Sequence, residues 1–150
     1  MSNDLVFENV GIIYPNFRGE KSQFNEEGKR NFNICFEDPD LAQDLLNKGV
    51  HVRELSQGDE EILYLVKIRV NFNSKFPPRI YTVHGEQEEI RFVSEEIVDM
   101  LDFRRIEFAD LTVNLYEYKP EHYSLYLKTL YLTLEESPLD AKYAHLEVRG

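Results

Sequence analysis

From Ile62 to Phe72 every second residue is apolar (Ile62, Tyr64, Val66, Ile68, Val70, Phe72), with Lys67, Arg69, Asn71 and Asn73 on the opposite parity. Side chains alternate across a strand, so this run predicts one with a buried face and a polar face. Lys29 to Phe36 repeats the pattern: Phe32, Ile34 and Phe36 share one face, and Lys29, Asn31, Asn33 and Cys35 the other. Phe7 to Tyr14 is a mixed apolar run stopped by Pro15, which has no donor for a ladder. Pro77-Pro78 breaks the chain before Arg79 to Val83 resumes a strand. Leu111, Val113 and Leu115 alternate with Thr112, Asn114 and Tyr116. Tyr123 to Leu134 predicts the last strand, and its parity slips near Lys128, the mark of a bulge.

Helical signals are fewer. Pro39 to Lys48 puts Leu41, Leu45 and Leu46 towards one face and stops at Gly49. Ser94 to Leu101 opens on an N-cap serine followed by two acids and turns Ile97, Val98 and Leu101 inward. Ser137-Pro138 suggests a closing helix over Leu139 to Leu146, and Val50 to Leu55 a short strand. The expected fold is mainly β with a few short helices. The order is compatible with a five-stranded Greek-key barrel of the OB type, residues Pro39 to Leu55 being a helical insertion between its second and third strands. A two-sheet sandwich satisfies the same pattern. No repeat, linker or low-complexity segment divides residues 1–150, so one domain is expected, with a short helix or tail from about residue 137.

Composition narrows the chemistry. The chain has 28 acids against 17 Lys plus Arg, a formal charge of −11, which opposes unselective coating of DNA or of membrane surfaces. No segment has the roughly 20 apolar residues of a membrane span, and the start carries no basic, apolar leader, so a soluble intracellular protein is expected. Cys35 is the only cysteine and reads as a small half-buried hydrophobe. The four histidines are scattered, and no P-loop, G-x-G-x-x-G, G-x-S-x-G or H-E-x-x-H occurs. Neighbouring carboxylates at 59–61, 86–89 and 95–96 point apart on an extended chain. Neither catalysis nor a metal or other cofactor has a candidate.

Against this acidic background, Tyr64 to Gly85 contains no Asp or Glu and carries Lys67, Arg69, Lys75 and Arg79. Asn71, Phe76 and Tyr81 lie in the same window. An earlier loop mixes the same ingredients: Phe17, Arg18, Lys21, Phe24, Lys29, Arg30 and Asn31. Cations that track phosphates and rings that stack on bases are what unpaired nucleic acid requires. Solvent-facing decoration, and phenylalanines plugging the barrel ends, would account for the same residues.

Four stretches, F-E-N-V-x-I-I-Y-x-N-F-x-G (7–19), F-N-x-x-G-x-R-N-F (24–32), P-P-R-I-Y (77–81) and Y-L-K-T-L-Y-L-T-L-E-E (126–136), resemble bacteriophage-encoded single-stranded DNA-binding proteins of OB-fold type. The resemblance spans about residues 5 to 143. It implies non-enzymatic protection of single-stranded DNA during phage replication and recombination, in the cytoplasm of the infected bacterium. Carried over by position, it implicates Phe17, Arg18, Lys29, Arg30, Asn31, Arg79, Tyr81, Tyr126 and Lys128. Many such proteins end in an acidic tail closed by an aromatic residue, which recruits phage or host replication and recombination proteins. This chain ends Leu146-Glu147-Val148-Arg149-Gly150, which puts that recruitment in question. Exposed strand edges would suit a homodimer. Two rivals remain at this point: an acidic phage protein-interaction module or DNA mimic that binds a host or replisome protein, supported by the charge, and a metal-dependent nuclease, which would need converging carboxylates.

Overall fold

The structure is a computed structural model that describes residues 4–23, 25–56, 58, 61–84 and 89–135. In chain order it contains β1 (Asp4–Asn16), β2 (Arg30–Phe36), α1 (Pro39–Asn47), β3 (Arg53–Ser56), β4 (Ile62–Val70), β5 (Arg79–His84), β6 (Glu89–Val93), a 3₁₀ helix (Val98–Phe103), β7 (Ile106–Lys119) and β8 (His122–Leu134). The alternating runs form strands, as their period demands. The expected closing helix at 139–146 and the tail lie outside the described residues.

Eight strands form one mixed sheet in the order β3-β4-β2-β1-β7-β8-β5-β6. The sheet curls until β4 pairs in parallel with β8 through Ile68↔Leu125 and Arg69↔Tyr126, closing β4-β2-β1-β7-β8 into a partial ring. Inside it lie the even-numbered residues of β2 and β4 (Phe32, Ile34, Val66, Ile68) and the apolar parity of β7 and β8 (Leu111, Val113, Leu125, Leu130, Leu132), all buried. The slip in β8 is a bulge: Thr112 faces Thr129 while Val113 faces Leu127, leaving Lys128 as the extra residue.

Several expectations need correction. β1 runs past Pro15, because an irregularity between Ile13 and Asn16, with Tyr14 at φ 51°, lets a residue without a donor sit outside the ladder. The expected helix at 94–101 is a 3₁₀ helix displaced to 98–103. It buries Val98 and Leu101 but leaves Ile97 exposed, as α1 leaves Leu46. The β6 strand has no counterpart among the expected elements. β4 and β5 are not partners: each runs parallel to β8, along successive halves of it. The acid-free window is therefore divided between two places along β8.

Candidate nucleic-acid interface

The outward faces of β2 and β4 floor a groove of ≈ 770 Å³. The parity that buries Phe32 and Ile68 turns Asn31, Asn33, Lys67 and Arg69 outward, Asn31 opposite Arg69 and Asn33 opposite Lys67. β3 adds Arg53, whose Nη2 donates to Asn33 Oδ1 at 3.0 Å. Across the ring closure, β8 sets Tyr126 in register with Arg69, and Tyr116 of β7 meets the Tyr126 ring edge-on at 5.7 Å. Tyr118 and Tyr123 extend this aromatic wall, and the bulge of β1 brings in Tyr14.

Two local devices hold the walls. The β1–β2 connection is stapled by amides: Asn16 Nδ2 donates to the Glu20 carbonyl, Asn25 Nδ2 to those of Glu20, Glu26 and Lys29, and Asn31 Nδ2 to Asn25 Oδ1. Gly19, at φ 66°, permits the loop to close, since a Cβ there would lie 2.9 Å from the Gly28 backbone. The β7–β8 hairpin is held from the end of α1, where Tyr123 N donates to the Gly49 carbonyl at 3.0 Å. Gly49 has φ +87°, and a Cβ on it would collide with the Glu121 carbonyl oxygen. The Tyr123 hydroxyl bonds Glu117, which pushes its pKa up.

The electrostatics are one-sided. None of the described residues lining the groove is Asp or Glu, while Arg53, Lys67 and Arg69 converge there with His51 close by. Burial, and then repulsion from Arg69 and Arg53, hold the Lys67 ammonium below the usual lysine range. Among the described residues no carboxylate forms an ion pair with any of the three. Such a groove offers cations to phosphates and tyrosine faces to bases, while Asn31 and Asn33 are buried in its floor and bonded to Asn25, Lys29 and Arg53.

Of the residues expected from the sequence, the groove gathers Asn31, Lys67, Arg69 and Tyr126. Phe17 requires a correction: its ring is fully buried, stacked on Phe32 at 5.1 Å, and no base can reach it. Arg18 and Arg30 are bound into the protein's own framework. Asp102, its side chain only 4% exposed, accepts from Phe17 N, Arg18 N and Arg18 Nε, and Arg18 also pairs with Glu20 and lies over the Phe103 ring. Arg30 shares the parity of Phe32, so it caps the ring's end, donating to the Phe17 carbonyl and pairing with Glu95 and Asp99. Lys21 and Lys29 are exposed on the β1–β2 loop but do not line the groove.

Asn71, Lys75 and Phe76 lie on the β4–β5 loop, away from the lining, with Lys75 over the Phe76 ring. Arg79 and Tyr81 sit on the outer face of β5, where Tyr81 stacks on Tyr131. Lys128 pairs with Asp4 at 2.7 Å. Phe24 lies outside the described residues.

Tyr14, Arg53, Tyr116, Tyr118 and Tyr123 join the groove without having been expected from the sequence. A signal exists in the Tyr116-x-Tyr118 repeat, which puts two rings on one side of a strand. Nothing local joins them to Lys67. Among the described residues no group of three or more His, Cys, Asp or Glu is arranged to hold a metal ion, and no helix is long and apolar enough to cross a membrane. Burial pushes the Cys35 thiol pKa up, away from nucleophilic use.

Comparison with solved structures finds the single-stranded DNA-binding protein of bacteriophage Enc34 in a C-terminally truncated form. It is 8% identical, with a TM-score of 0.52, over 91% of this chain and 88% of that one. The Enc34 protein in complex with ssDNA matches at 9% identity and a TM-score of 0.51, over 91% and 89%. At such identities the likeness concerns the fold alone. No curated protein matches the chain significantly. The model of the family described as "Putative phage ssDNA-binding domain" matches residues 1–149. The chain therefore belongs to the phage ssDNA-binding domain family, a family of binding proteins and not of enzymes.

Proposed function

We propose that this protein binds single-stranded DNA in the groove floored by β2 and β4, with little sequence preference, and so shelters it during phage DNA replication and recombination in the infected cell. The observation that carries the reading is the groove's acid-free lining: among the described residues, three cations without carboxylate partners face five tyrosines in a protein of charge −11. Arg53, Lys67 and Arg69 hold phosphates. Tyr126 and Tyr116, with Tyr14 and Tyr118 at the margins, receive bases, and the buried Asn31 and Asn33 brace the floor beneath them. Rings accept any base face, so sequence matters little.

The ring of strands supports reading the fold as an OB-type barrel whose five strands are β1, β2, β4, β7 and β8. The groove then falls on the second and third strands, between the first and last connecting loops, where such barrels take oligonucleotides. The chain acts as one such unit, and replication or recombination proteins of phage or host would meet it outside the groove. The Enc34 protein, similar in fold, is known in complex with ssDNA. An acidic DNA mimic needs its carboxylates on the contact face, and the described lining of this groove has none.

Titration with oligo-dT across a salt series tests the proposal. Three neutralised phosphates give a slope of about −2 in log affinity against log salt. Binding that is absent or salt-insensitive, or a preference for basic protein over oligonucleotide, would refute it.

A further inference from the structure

We propose that β6 is a self-association edge, and that a second copy of this chain pairs with it antiparallel about Ile90. The inference stands apart from DNA binding, because β6 and the β3 side of the groove are opposite ends of the strand order. Among the described residues β6 has a strand partner, β5, on one side only. A strand edge left open is a template for another strand.

This edge is apolar on one face. Ile90 and Phe92, opposite Val83 and Tyr81, are 57% and 58% exposed. Behind them Tyr81 stacks on Tyr131 at 5.0 Å and meets the Phe92 ring edge-on at 5.7 Å.

The charges on the other face select the occupant. Glu89 and Arg91 project together, opposite His84 and Thr82, and already form a two-point ion pair at 3.2 Å. In an antiparallel pair centred on Ile90, Glu89 of one copy faces Arg91 of the other, and the two-fold axis repeats the contact. Opposite charges facing each other across strands stabilise, and like charges destabilise. Ile90 then meets its own counterpart, and Phe92 of each copy lies on the same face, diagonal to the other copy's Ile90. The strand is self-complementary, as an isologous contact requires.

Sedimentation equilibrium of the full chain, over roughly two decades of micromolar concentration, tests this. The wild type dimerises. Glu89→Arg and Arg91→Glu each weaken the dimer at least about tenfold by placing like charges opposite each other. The two single variants pair with each other when mixed, and the double variant Glu89→Arg/Arg91→Glu regains the dimer. A wild type that stays monomeric, single variants that dimerise normally, or a double variant that remains monomeric overturns the proposal. Oligo-dT binding by the same variants confirms that they are folded. Its absence in the wild type would count against the groove and not against this edge.

Discussion

Two clusters of cations lie on neighbouring parts of the sheet and do different work. Arg53, Lys67 and Arg69 stand on the outward faces of β3 and β4 without carboxylate partners among the described residues. Arg18 and Arg30, at the end of the ring, are matched by Glu20, Asp102, Glu95 and Asp99. Half-satisfied charges at the ring's end would destabilise the core they cover, so acids are supplied there. Burial, and after it repulsion from Arg69 and Arg53, lowers the Lys67 pKa, and a polyanion relieves the repulsive part. Paired cations support the fold, whereas cations held together without acids are positioned for a ligand.

The largest effect that separates the clusters is charge reversal in the groove. The triple variant Arg53→Glu/Lys67→Glu/Arg69→Glu should lose about a thousandfold or more in oligo-dT affinity, because non-specific binding is almost wholly electrostatic. Its urea midpoint should hold steady. Phe17→Ala should do the opposite, costing about 3–5 kcal/mol in urea denaturation through the cavity left beside Phe32, while the fraction still folded binds normally. Asp102→Ala should likewise lower stability, by about 2 kcal/mol, since it strips the acceptor from Phe17 N–H; the exposure of Arg18 discounts the ionic part. An affinity loss in Asp102→Ala with stability intact would erase the distinction between the clusters.

Tyr126→Ala should cost about 1–3 kcal/mol of binding if its ring carries a base, whereas Tyr81→Ala, outside the groove, should leave affinity alone. The smallest effect is on pH. A phosphate beside Lys67 favours the ammonium and returns its pKa upward. Between the lowered free value and the value in the complex, binding takes up a proton, so affinity falls as pH rises through that window. Lys67→Arg, which stays charged, should flatten the alkaline fall, and fluorescence titration of labelled oligo-dT would measure it.

Alternation at period two makes much of the groove legible in the amino-acid sequence. It separates Asn31, Lys67 and Arg69 from the core, and it also puts Arg30 on the face of Phe32. Expecting Arg30 to contact DNA beside its sequence neighbours overlooks that parity. Phe17 is harder to read, since its apolar partner is Phe32 and its backbone partner Asp102 is 85 residues away. The aromatic wall is hidden for a similar reason: Tyr116 and Tyr126 reach the groove cations only through the parallel contact of β4 with β8, which no local pattern announces. For β6, five residues with two acidic or basic members make too short a run to distinguish from a loop.

The extra residue at Lys128 has an evolutionary corollary. Removing Tyr131 would invert the alternation beyond the cut, turning Leu132 and Leu134 towards water. Excising Lys128 itself preserves the in-and-out sequence on both sides, so chain length can change there by one at little cost to the interior. Its thermal midpoint, set beside that of a Tyr131 deletion, would reveal how forgiving this point of the strand is.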